Sequence, residues 1–293
     1  MKDFREIDLT WIPRIKQGYN HPMSESMILG MSAFIALLPS SFFALTRREN
    51  RKDGPSIAFW LTLGVAVAGP LTWSVVQISG EWRTGLSTAL WVTIAASMLI
   101  FAVVTILAEN AWRLTPLLSP YMAVLALLAL IWQQAPETRP LTSNVPDGWI
   151  GAHILVSVVT YALVTIASVS SLAAFMQERA LKSKQPTALT RLLPSVAESE
   201  WLMVRLLMLG EFVMALGLAT GIATQYQETG IAIQWDHKTI LSVTAFLVIG
   251  GLLAAHYISG VRGRLVARFM LLAYLLLTLG YPGVKFVTDI LIG

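Results

Sequence analysis

The chain has 293 residues, 55% of them hydrophobic and 13% charged, with a mean hydropathy of +0.65, a net charge of +4 and no cysteine. This composition excludes an ordinary soluble domain and indicates an integral membrane protein. Without cysteine there is no thiol nucleophile, thiolate metal site or iron–sulfur cluster, and without a Gly-Lys dipeptide there is no Walker A loop.

Residues 1–25 form a tail that mixes apolar and charged side chains and is interrupted by Pro13 and Pro22. It is expected to lie on the outer membrane surface. The first apolar run starts only after this tail. Basic residues from Arg47 to Lys52 follow it in place of a small-residue cleavage site, so a retained span is expected rather than a signal peptide. Eight apolar runs follow in order, at about 26–45, 56–79, 85–108, 114–134, 150–175, 201–224, 238–257 and 267–289. Each is long enough to cross ~30 Å of hydrocarbon. The pattern predicts an all-α, polytopic membrane bundle of about eight transmembrane helices, forming one domain over 26–293.

The loops set the orientation. One set carries twelve Lys and Arg, among them Arg47, Arg113, Arg179, Lys182 and Arg264; the other set, with the C-terminal end, carries four. The positive-inside rule puts the first set in the cytoplasm and both termini in the periplasm. These charges sit in short loops, so they argue for topology and against a nucleic-acid partner. Three longer connections stand out: an irregular one at 133–149, a basic one at 177–200 broken by Pro186 and Pro194, and one at 225–236. The apolar Ile231–Trp235 stretch of the third is suited to dip into the membrane or cover a planar ligand.

Histidine is the scarcest chemical resource, with four in the chain. His153 lies near the start of span five and His237 just before span seven, both at the outer boundary. Two imidazoles held at one face can ligate a single haem iron from opposite sides, with bonds of about 2 Å. This requires spans five and seven to be neighbours; the alternative is two unrelated interfacial histidines. Trp149 and Trp235 closely precede these histidines and read either as an interfacial aromatic belt or as cover for a bound ring. His256 is nineteen residues beyond His237, ~28 Å along a helix, so it belongs to the inner face. His21 reads as a surface histidine of the tail. Gly217 and Gly221 form a small-residue packing face, and Glu109 and Arg113 an i,i+4 surface ion pair. Glu211, mid-span, is costly as a charge, at ~2.5–3.5 kcal/mol for a comparable acid, and raises a solute- or proton-transport alternative.

Several motifs occur in order along the C-terminal half: Trp149-Ile-Gly-Ala-His153, Gln177-Glu-Arg179 with Leu181-Lys182, Trp235-Asp-His-Lys-Thr-Ile-Leu-Ser242, Gly260-Val-Arg-Gly263 and Gly280-Tyr-Pro-Gly-Val-Lys-Phe-Val287. Over about 145–290 the chain resembles the cytochrome c assembly protein family, in its CcsA-like and YpjD-like (HemX-like) branch. The resemblance implies haem handling in the bacterial inner membrane in support of c-type cytochrome maturation. It implies His153 and His237 as axial ligands of haem b, Trp149, Trp235 and His256 as further haem contacts, and apocytochrome c or other assembly proteins as partners alongside the lipid bilayer. The family's Trp-rich motif is reduced here to Trp235-Asp236, and no large external domain is present. A haem-binding or relay protein is therefore expected rather than a complete haem lyase. The competing expectation is a structural or accessory subunit that binds no haem.

Overall fold

A computed structural model describes residues 23–46, 54–79, 85–134, 147–231, 233–261 and 263–287. The tail before Met23, with His21, and the 135–146 part of the irregular connection lie outside them. The helices are α1 (Met23–Thr46), α2 (Ile57–Ile78), α3 (Leu86–Leu107), α4 (Thr115–Ile131), α5 (Asp147–Ser183), α6 (Ala188–Leu192), α7 (Val196–Thr229), α8 (His237–Ser259), α9 (Arg264–Thr278) and α10 (Val284–Phe286). Among the described residues seven helices are long and apolar enough to cross a membrane: α1, α2, α3, α4 with the 3-10 turn before it, α5, α7 and α8. The eighth predicted span is broken. α9 runs through a π-helical turn at Leu279–Gly283 into α10, 23 residues in all and ~35 Å long. Pro282 sits inside that turn and cannot donate to the helical ladder, which accounts for the widened turn. The chain is a multi-pass helical membrane protein.

The basic connection at 177–200 is shorter than its sequence suggested. α5 continues to Ser183, supported by good helix formers and by a Glu178–Lys182 ion pair one turn apart. Ser195 and Glu198 cap the start of α7 reciprocally, just after Pro194. α5 and α7 thus reach 37 and 34 residues, ~55 and ~51 Å, well beyond the hydrocarbon thickness. The remaining loop is tied down from inside. Buried Arg113 donates to the carbonyls of Arg191 and Leu192, so it is a loop clamp and not the exposed ion pair expected with Glu109. Gln177 donates to the carbonyls of Thr190, Leu193 and Pro194.

The helices form two rings of four. α1 packs on α2 and α4, and α3 closes that ring against the same two; α5, α7, α8 and α9 close a second ring in that order. α3 against α5 joins them. The first ring is filled by large side chains, including Leu37, Trp91, Ile94, Met98, Leu118 and Met122, all fully buried. The core continues through Val164, Ile166 and Leu207 into the second ring. A hydroxyl cluster also ties the rings together. Tyr121 on α4 bonds Tyr274 on α9, and Tyr161 on α5 lies 3.1 Å from the Tyr274 hydroxyl and 3.2 Å from Thr278 Oγ1. In the second ring α5 and α8 lie diagonally, each packed on α7 and α9. The side-by-side arrangement expected for spans five and seven is therefore corrected to one across the ring.

Candidate functional site

The second ring is hollow at one end. There α5 and α8 begin and α7 ends, and small or polar residues leave a cavity of about 470 Å³. α7 contributes Gly217, Gly221, Thr224, Gln225 and Glu228, spaced so that they share one helical face. α5 contributes His153, Ser157 and Tyr161; α8 contributes Lys238, Thr239 and Ser242. Gly280, in the π-helical turn, lines the wall opposite α7.

His153 is seated between α5 and α7. Its Nδ1 lies 3.0 Å from Thr220 Oγ1. The Thr220 hydroxyl back-bonds to its own helix, 2.9 Å from the Leu216 carbonyl and 3.0 Å from that of Gly217. Its only proton is therefore committed, and its oxygen accepts from His153 Nδ1–H. The Gly217 backbone is a further hydrogen-bond partner of the ring; with the proton on Nδ1, Nε2 carries the lone pair. A Cβ at Gly221 would stand 3.1 Å from His153 Cε1, so the absence of a side chain there makes room for the ring. Gly217 has a plain packing role beside Val156; Gly221 adds a site role to packing.

The mouth of the cavity is built by the link from α7 to α8. α7 stops at Gly230 in the left-handed region, φ 73°, as a helix terminus of this kind favours. Beyond it, Gln234 and Asp236 line the cavity while Ile231, Ile233 and Trp235 are exposed. Asp236 caps α8 by accepting from the Thr239 backbone N–H at 2.7 Å. Burial alone pushes its carboxyl pKa up, but the bonds from Thr239 and the charges of Lys238 and His237 outweigh this and hold it below the ordinary value.

Of the predicted site residues, His153 lines the cavity. His237 is the first residue of α8, exposed, between the lining residues Asp236 and Lys238. Trp149 and Trp235 are exposed, 39% and 68%, at the same end. His256 is at the opposite end of α8, where Nδ1 donates to the Val261 carbonyl at 3.3 Å. Glu211 packs against α8: a Cβ at Gly250 would stand 2.9 Å from its Oε1. Sequence reasoning missed Thr220, Lys238 and Tyr161. The polar and small stripe from Gly217 to Glu228 was the signal available for the α7 wall.

Among the described residues no three His, Asp or Glu converge as a site for a bare metal ion. A single well-oriented imidazole suits a metal that brings most of its own ligands, as haem iron does.

Over residues 56–292 the chain matches the family described as Cytochrome C assembly protein. The chain belongs to that family. The match takes in spans two to four as well, where only hydropathy had suggested agreement. The chain is similar to an "Uncharacterized 28.8 kDa protein in nifR3-like 5'region" of Azospirillum brasilense, 54% identical over 272 residues, 92% of this chain and 100% of that protein. It is also similar to inner membrane protein YpjD of Escherichia coli (strain K12), 29% identical over 197 residues, 67% of this chain and 72% of that one. Membership associates the chain with c-type cytochrome biogenesis. With its apolar helices, it is a multi-pass inner-membrane protein.

Proposed function

We propose that this protein binds haem b in the cavity of its second ring, at the periplasmic side, in support of c-type cytochrome assembly. The observation that carries this reading is the seat of His153: Nδ1 held by Thr220, the ring against Gly221, and the side chain lining the cavity. A ligating histidine held through its other ring nitrogen has this arrangement. His237, exposed at the mouth and the other imidazole among the described residues at that end, would hold the iron from the α8 side: α5 and α8 both line the cavity from across the ring, so a haem standing between them would join the two without the helix contact expected from the sequence. Lys238 offers a cation to the haem carboxylates, and Trp149 and Trp235 flank the mouth. Bound haem would supply a redox-active iron centre. The chain has no cysteine, so it holds the group non-covalently and any thioether forms on a partner, such as an apocytochrome c. It is read as a holder or relay rather than a complete lyase because the Trp-rich motif is reduced to Trp235-Asp236.

The test is the visible spectrum of detergent-purified protein with pyridine-haem quantification. A low-spin Soret and α-band is expected, abolished or shifted by His153→Ala and by His237→Ala. Unchanged bands in both variants overturn the ligand assignment. A second reading, an accessory subunit that binds no haem, draws support from the exposed row Ile231, Ile233 and Trp235 at the mouth. Stable co-purified membrane proteins with a featureless visible spectrum would select it.

A further inference from the structure

The end of the second ring far from His153 carries a different site. Between α7 and α8 a groove of about 740 Å³ runs along the outside of the ring. Its polar groups are Glu200, Arg205, His256 and the Tyr257 hydroxyl. Toward the membrane interior it is walled by Met208, Leu209 and Phe212, which are 42%, 51% and 64% exposed and so face lipid. The Tyr257 hydroxyl donates to Met208 Sδ at 3.0 Å, fixing the two helices at the groove floor.

The charges are sorted by depth. Arg205 enters from within the span, but its guanidinium is drawn back over the Trp201 ring, 4.4 Å from the centroid, one turn nearer the helix start. This is a snorkelling cation at the interface. Among the described residues it takes no ion pair. His256 lies one turn before the α8 terminus at Gly260, so it stands near the same interface. Glu200 lies five residues before Arg205, closer to water.

We propose that this groove binds one zwitterionic aminophospholipid of the surrounding bilayer. The lipid phosphodiester takes the Arg205 guanidinium, the headgroup ammonium takes the Glu200 carboxylate, and an acyl chain lies along Met208, Leu209 and Phe212. Charge balance selects this occupant. A cation and an acid in one groove complement a phosphate beside an ammonium. An anionic lipid would meet Glu200 unfavourably, and a quaternary ammonium headgroup has no N–H to give it. The proposal is independent of haem binding at His153.

The test measures lipid retained by the full chain in mild detergent, by native mass spectrometry, after exposure to phosphatidylethanolamine, phosphatidylglycerol or phosphatidylcholine. Wild type is expected to retain phosphatidylethanolamine several-fold better than the other two. Arg205→Gln should lower that retention by about fivefold, the worth of one interfacial cation, while Arg205→Lys keeps most of it. Glu200→Gln should erase the preference over phosphatidylglycerol without abolishing binding. His153→Ala should leave all three values unchanged. Equal retention of the three lipids by wild type, or full phosphatidylethanolamine retention in Arg205→Gln, overturns the proposal. So does haem absorbance that is lost on Arg205→Gln, which would make the groove a haem site.

Discussion

His153 and Thr220 meet across the α5–α7 seam, Nδ1 to Oγ1 at 3.0 Å, with the hydroxyl proton already given to the helix behind it. With the Gly217 backbone, the ring's other hydrogen-bond partner, this bond orients the imidazole. It makes a residue with no metal-binding chemistry of its own a determinant of the site.

Thr220→Val keeps the shape of the side chain and removes the acceptor. The imidazole then loses one of its hydrogen-bond partners, and haem affinity is expected to fall by about 10–100-fold. Titration of the purified apoprotein with haem measures this. A value within twofold of wild type would show that Thr220 does not orient the ligand.

Gly221→Ala acts from the other side of the ring. The added methyl would stand 3.1 Å from Cε1, so His153 must move. Overpacking of this kind costs about 1–3 kcal/mol. The thermal midpoint should drop and the haem bands should shift, whereas Gly251→Ala, where a Cβ meets open space, should change neither.

Asp236 gives a pH signature. Its folded-state pKa lies below the ordinary value of an aspartate, so its stabilising effect is present above the unfolded pKa and is lost as pH falls through the lower, folded one. The first turn of α8, including His237 and Lys238, should fray only in that acid range. Amide hydrogen exchange at Thr239 and Ile240 reads this directly. Asp236→Asn retains a capping side chain and should remove the pH dependence while leaving the helix start protected at neutral pH.

Tyr274→Phe removes the hydroxyl that joins Tyr121 to Tyr161. Two buried hydroxyls lose a shared partner, a cost of about 1–3 kcal/mol, and the link between the rings weakens. Thermal unfolding in detergent should show a lower midpoint.

Much of the fold was legible because hydrocarbon imposes length and composition on each span. Seven of the eight runs correspond to single long helices and the eighth to the broken segment of α9 and α10, and family membership followed from motifs such as Trp149-Ile-Gly-Ala-His153. Helix ends were less legible. Gln177–Ser183 is polar enough to suggest a loop, yet its residues are good helix formers, and only Pro186 and Pro194 mark the real break. The ring arrangement was not readable, because hydropathy says which segments cross but not which are neighbours. That is why α5 and α8 proved diagonal. Thr220 was invisible for a related reason: a threonine in a membrane helix usually satisfies itself on its own backbone, and only the approach of α5 shows that its oxygen has a second task. Arg113 looked like a surface cation because its partners are loop carbonyls, which a sequence does not display.

α5 and α7 are unbroken rods that outrun the bilayer. At their far ends α6 and the loop after it are held by Gln177 of α5 and by Arg113. The imidazole seat lies on the same two rods, ~45 Å away along α5. One pair of helices therefore carries the imidazole seat at one end and the clamped loop at the other.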